Sequence, residues 1–166
     1  MDHLWAPWRL AYIARETPPK AGDDCFLCRG LSEADDRKNL IVERTPQTVT
    51  VLNRFPYNNG HLLVAPTTHK GRLDELTGDQ HFHLTVTVTR MVAVLELLMK
   101  PEGFNVGLNL GKVAGAGLPG HLHWHIVPRW NGDTNFMTTA SDTRVISQSL
   151  DALYDLLAPA LATPCP

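Results

Sequence analysis

The first half of the chain alternates short apolar runs with turn-forming clusters. "NLIVER" (39–44) and "TVTVLNR" (48–54) read as two short strands joined near Pro46 and Gln47. "HLLVAP" (61–66) is a third, entered through the turn "PYNNG". Runs of this length with tight connections predict an antiparallel meander. The next segment, "LTGDQHFHLTVTVTRMVAVLELLMK", carries two signals. "LTVTVT" alternates with a period of two, whereas Met91, Val94, Leu95 and Leu98 follow helical spacing. Its length favours a helix from about Gly78 to Met99, opened by a capping box from Thr77 to Gln80 and stopped by Pro101 and Gly103. The threonines and valines inside it are then an override of local propensity by tertiary packing. "GFNVGLNLG" (103–111) reads as a strand, "KVAGAGLPG" (112–120) as a glycine-rich loop, and "HLHWHIVPR" (121–129) as a strand stopped by Pro128. "SQSLDALYDLLAPAL" reads as a short C-terminal helix, capped by Ser147 or Ser149 and broken near Pro159. The sum is an α+β fold: a mostly antiparallel sheet of about five strands, one long helix and a short C-terminal helix.

A chain of 166 residues fits one domain with a real core. "TPPKAGDD" (17–24) is the most linker-like stretch, so residues 1–24 read as a docking segment and linker, 25–158 as the core and 159–166 as a tail. Trp5, Trp8 and Tyr12 are expected to seat the N-terminal segment on the domain or on a partner subunit. A net charge of −2 argues against non-specific binding to a nucleic-acid backbone, which needs a basic surface. The N-terminus lacks the charged lead-in and apolar stretch of a secretory signal, and no apolar run approaches the ~20 residues of a membrane span. Three cysteines, two of them in "CFLC", do not form a disulfide framework. The expectation is a cytoplasmic protein that does not enter a membrane.

The candidate chemistry lies in "GHLHWHIVPRW" (120–130). In a strand, His121, His123 and His125 share one face at steps of ~7 Å, with Leu122, Trp124 and Ile126 on the other. One such histidine is most often a core residue bonded to backbone. Three on one face each need a partner when buried. Zinc accepts three histidines, but rings spaced along a straight strand do not easily converge on one ion with bonds of ~2 Å. A row of contacts along an extended anion such as a polyphosphate suits the spacing better. Gly111, Gly115, Gly117 and Gly120 in the loop just ahead allow close backbone approach and exposed N–H groups for an anion. Asn109 supplies an amide at the loop entry, for a ribose hydroxyl, a phosphate or a turn.

"HLHWHIVPRW" resembles the His-x-His-x-His-apolar signature of the histidine-triad (HIT) superfamily of nucleotide hydrolases and transferases. "LNRFPYNNGHLLVAPTTH" and "FNVGLNLGKVAGAG" resemble that superfamily's paired-strand segment and phosphate-side loop. "LWAPWRLAYI" and "GDTNFM" resemble the branch that contains diadenosine tetraphosphate phosphorylases. The resemblance implies a nucleotidyl-histidine intermediate, with His123 as nucleophile, His125 assisting the leaving group at the phosphate, and His121 supporting the nucleophile or binding a metal. It puts Asn53 at the ribose, with His61 either on the phosphate side or structural, and Asn109, Gly115, Ala116 and Gly117 along the substrate. Many relatives carry Ser or Gln in the loop where this chain has Ala116 and Gly117, where backbone N–H groups can substitute. Phe55 can line a base pocket or belong to the core, and Arg129 can bind phosphate or form a structural ion pair. A homodimer is also implied.

Cys25 and Cys28 have the spacing of a zinc knuckle, or are two buried thiols or a redox pair. No second C-x-x-C exists, so histidines must complete a site. Zinc-carrying relatives pair two such cysteines with two histidines, which here match His69 and His121. The implied cofactor is a structural zinc, with no organic cofactor. His81 and His83 fall on the long helix as surface or packing residues, and Cys165 is a free thiol near the end. Two other functions stay open: a zinc-stabilised nucleotide-binding module with little turnover, and a mononuclear metal hydrolase using the three histidines directly.

Overall fold

The computed structural model describes residues 25–134 and 145–162. The N-terminal segment with Trp5, Trp8 and Tyr12, the end of "GDTNFM" and Cys165 lie outside the described residues.

Five antiparallel strands form one sheet: β1 (Ile41–Arg44), β2 (Thr48–Leu52), β3 (Leu62–Pro66), β4 (Gly103–Leu108) and β5 (Trp124–Arg129), in the order β1-β2-β3-β5-β4. The meander β1-β2-β3 follows the expected alternation. Thr48, Thr50 and Leu52 face one side, and Val49 and Val51 the other. The first face is covered by α2 (Gly78–Met99) and α3 (Leu150–Ala162). Leu62, Met91, Leu95, Ile126 and Leu157 are fully buried there, each contributing about 1.5–3 kcal/mol by leaving water. The buried hydroxyls of Thr48 and Thr87 bond each other at 3.0 Å, which explains how a threonine is carried on the inner face of the helix. The second face is covered by α1 (Phe26–Ser32), whose Leu27 packs with Ile41, Val49, Val51, Leu63 and Ala65.

α2 begins as expected: the Thr77 hydroxyl accepts the Gln80 N–H, and the Gln80 side chain accepts the Thr77 N–H. Against the expectation from the sequence, α2 is long and apolar enough, by length and composition alone, to cross a membrane. Its buried residues Leu84, Thr87, Met91 and Leu95 pack on the sheet.

Three boundaries differ from the sequence reading. β5 begins at Trp124, not at residue 121, because its ladders to β3 and β4 both end at Trp124. His121 and His123 stand in an unpaired lead-in. β5 also runs through Pro128 to Arg129. The Pro128 carbonyl points away from β4 toward the Asn58 side chain, so the missing N–H costs β4 no ladder bond. Finally, α3 continues through Pro159 to Ala162, anchored by buried Leu157 and Leu161 on either side. Its start is capped by Ser149, whose hydroxyl accepts the Ala152 N–H.

Candidate active site and metal cluster

Cys25 caps α1, its sulfur accepting the Cys28 N–H at 3.4 Å, so both sulfurs sit at one end of the helix. Two further segments converge on them: His69 just after β3, and His121 just before β5. The Leu122 N–H donates to the Lys70 carbonyl at 2.7 Å and holds these segments side by side. Two glycines permit the approach. A Cβ on Gly71 would lie 3.1 Å from the Pro119 carbonyl oxygen, and one on Gly120 would lie 3.3 Å from His69 Nε2.

Cys25 Sγ lies 3.2 Å from His121 Nδ1, and Cys28 Sγ lies 3.2 Å from His69 Nδ1 and 3.5 Å from His121 Nδ1. All four donor atoms fall within 4.8 Å of one another. Bonds of ~2.0–2.3 Å around a tetrahedral zinc put ligand atoms about 3.3–3.8 Å apart. The His121 Nε2–H donates to the Pro66 carbonyl at 2.9 Å, which leaves Nδ1 unprotonated toward the sulfurs. Burial, and then the neighbouring Cys25, pushes the Cys28 thiol up to about 11. A cation between the sulfurs reverses that cost by stabilising thiolates. The four residues therefore fit a metal of zinc's ligand preference.

His123 follows with the opposite arrangement. Its Nδ1–H donates to the His121 carbonyl at 2.8 Å, so the lone pair is on Nε2. His125, on β5 across from Leu63, meets His61, whose Nε2 lies 2.9 Å from His125 Nδ1. The direction of that bond follows from its outer end. The Tyr57 backbone N–H donates to His61 Nδ1 at 3.0 Å, and the Asn53 amide donates to the same atom at 3.2 Å. His61 Nδ1 is thus an acceptor, its Nε2–H donates to His125 Nδ1, and His125 carries its proton on Nε2. That nitrogen is buried with no hydrogen-bond partner among the described residues.

The rings of His123 and His125 meet edge to face at 5.1 Å, and Tyr57 stacks on His125 at 5.6 Å. Burial, and then His123, lowers His125 to about 4; burial also lowers His123, against the bond to the His121 carbonyl. Neighbouring neutral rings thus present a lone pair on one Nε2 and a proton on the other. The three triad rings turn to three different partners, so they do not surround one ion.

The other candidates separate. Asn53 is half-buried beside His61, its side-chain oxygen accepting the Phe55 N–H at 3.0 Å. Phe55 is 79% exposed and outside the core. In the glycine-rich loop, the N–H groups of Gly115 and Ala116 donate inside the loop, to Lys112 and Gly111. Of the three loop residues expected at the substrate, that leaves the Gly117 N–H without an acceptor among the described residues. The Asn109 amide makes a long 3.5 Å bond to the Gly115 carbonyl. Arg129 pairs with Asp133, Nε to Oδ2 at 2.6 Å, the structural alternative. His81 donates to the Leu73 carbonyl, and His83 lies half-buried near Asp79. Tyr57 was not singled out by sequence. Its only signal is its place in the turn directly ahead of His61.

A family model described as the HIT domain matches residues 35–132. The chain belongs to the HIT family. The HIT match takes in His61, His69 and the three histidines of the row but begins beyond Cys25 and Cys28. The "AP-4-A phosphorylase" of Mycobacterium tuberculosis is 37% identical over 162 residues, spanning 95% of this chain and 83% of that protein. The asymmetrical bis(5'-nucleosyl)-tetraphosphatase of Schizosaccharomyces pombe is 33% identical over 93 residues, 56% of this chain and 50% of that one. Among solved structures, a Zn-bound histidine triad family protein from Mycobacterium smegmatis superposes with a TM-score of 0.66 at 25% identity, covering 84% of this HIT chain and 94% of that one.

Proposed function

We propose that this HIT-family enzyme cleaves a phosphoanhydride of a dinucleoside polyphosphate by transferring a nucleoside monophosphate through His123. The observation that carries the reading is the pair of opposite tautomers: a lone pair on His123 Nε2 beside a proton on His125 Nε2. His123 Nε2 attacks the α-phosphorus, and the bond from phosphorus to the bridging oxygen breaks. The His125 Nε2–H donates a hydrogen bond to the departing oxygen and stabilises the charge that collects there, the neutral imidazole keeping its proton. Water or inorganic phosphate then attacks the nucleotidyl-histidine and releases AMP or ADP. His121 supports the nucleophile through its backbone carbonyl, while its ring turns to the cysteines. Asn53 holds the ribose, and Asn109 and the loop at Gly115, Ala116 and Gly117 border the phosphates.

The names of the phosphorylase and tetraphosphatase relatives support the substrate class. Cys25, Cys28, His69 and His121 would hold a zinc ion, which would serve as a structural crosslink. β4 at the sheet edge, with Phe82, Val86 and Leu97 exposed on α2, supports a homodimer. The composition supports a cytoplasmic setting.

Incubation with diadenosine tetraphosphate tests the reading. ATP and ADP formed only with added phosphate identify a phosphorylase; ATP and AMP formed without it identify a hydrolase. Binding without cleavage of this substrate or of adenosine phosphoramidates would replace the enzyme reading with that of a nucleotide-binding module.

A further inference from the structure

The proton on His125 Nε2 is fixed from outside the histidine row. Its sources are the backbone amide of Tyr57 and the side-chain amide of Asn53, and the backbone amide points accurately only if its turn is held. The turn from Asn53 to His61 is held at Asn58. Both Asn58 Nδ2 hydrogens are used, one on the Pro128 carbonyl at 3.0 Å and one on Asp133 Oδ2 at 2.8 Å. The Asn58 side-chain oxygen accepts the Asn59 N–H at 2.9 Å, and its backbone carbonyl accepts the His61 N–H at 3.3 Å. Gly60 completes the turn at a φ of +74°, with Met99 and Pro128 so close that a Cβ would lie 2.8 Å from the Met99 sulfur.

Asp133 is itself locked. Its Oδ2 also accepts Arg129 Nε at 2.6 Å and the Trp130 N–H at 3.1 Å, and its Oδ1 accepts the second Arg129 nitrogen at 2.9 Å. Arg129 in turn donates to Asn105 on β4 at 2.7 Å. The path thus runs from a locked carboxylate to Asn58, through the turn to the Tyr57 N–H, then to His61 and His125.

We infer that Asn58 and Asp133 are positioning residues for the leaving-group hydrogen-bond donor: by holding the turn, they keep the His61 acceptor side toward Tyr57 and the proton on His125 Nε2. The inference rests on the proposed nucleotidyl transfer. A hydrogen-bond donor at His125 matters in proportion to how much charge the departing atom must carry. Loosening the turn lets His61 exchange tautomers, and His125 with it.

The test compares two AMP derivatives that share the nucleotide and differ in leaving group: the p-nitrophenyl ester, whose leaving oxygen spreads its charge into the ring, and an alkyl phosphoramidate, whose leaving nitrogen depends on a hydrogen-bond donor. Asn58→Ala is expected to lower kcat on the phosphoramidate about 10-fold or more and on the nitrophenyl ester less than about 3-fold. In the resting protein, ¹⁵N shifts of the imidazoles should report a single Nε2–H tautomer at His125, and a mixture in Asn58→Ala. Asp133→Asn keeps the side-chain shape and removes the charge. It should move both readouts the same way by less, and it carries the test if Asn58→Ala does not fold. Equal losses on the two substrates, or an unchanged His125 tautomer in the folded variants, would overturn the inference. If the wild type turns over neither substrate, the proposed function fails, and the ¹⁵N measurement still decides the positioning role.

Discussion

Two histidines two residues apart, His121 and His123, are wired in opposite senses. His121 gives its Nε2 proton to the Pro66 carbonyl and turns Nδ1 to the sulfurs. His123 gives its Nδ1 proton to the His121 carbonyl and leaves Nε2 open. In both, a backbone carbonyl takes one proton and so selects the nitrogen that does chemistry. The same side chain becomes a candidate metal ligand in one place and a candidate nucleophile in the other. What distinguishes the two regions is the position of a carbonyl, which the residue type does not specify.

The largest expected effect cuts the two regions apart. His123→Asn should lower nucleotide turnover by about 1,000-fold or more, by removing the nucleophile. Metal content by elemental analysis should stay at the wild-type level. Equal loss of metal and activity would show that the regions are one unit. Cys28→Ala should act from the other side: zinc lost after purification without chelator, and stability lowered by roughly 3–5 kcal/mol in denaturant unfolding. Gly120→Ala sharpens the boundary. Its Cβ would crowd His69 Nε2 at 3.3 Å, so a chelator competition should show zinc held about 10-fold less tightly.

The smallest effect is a pH dependence. His125 titrates near 4 in the fold, held down by burial and then by His123, against about 6.5 when unfolded. The unfolded chain therefore binds the extra proton first, and stability falls as pH drops from about 6.5 through 4. His125→Asn should flatten that part of the Tm-versus-pH curve. A curve as steep as the wild type's would place the titration elsewhere.

Much of this architecture was legible in the sequence. The meander, the capping box at Thr77 and the β4 strand follow from periodicity and turn residues. The cysteine spacing with His69 and His121 pointed to the cluster that the fold assembles. What was hidden depends on tertiary partners. Neither proline broke its element, because Pro128 turns its missing donor away from β4 and buried leucines flank Pro159. The start of β5 was misplaced because alternation continues through His121 and His123 while pairing does not. The tautomers were invisible, since they depend on a turn amide and two carbonyls that no residue identity announces.

The cluster has a consequence for how the molecule is assembled. Cys25 and His121 are 96 positions apart. Once metal joins them, the denatured chain is a closed loop of nearly that length, and a covalent link over ~100 residues withdraws about 4–5 kcal/mol of chain entropy by loop-closure estimates. His121 leads directly into β5, the strand that joins β4 to the β1-β2-β3 meander. Capture of the ion is then expected to accompany the docking of β5 between β3 and β4, and the rate of metal uptake during refolding would time the arrival of that central strand.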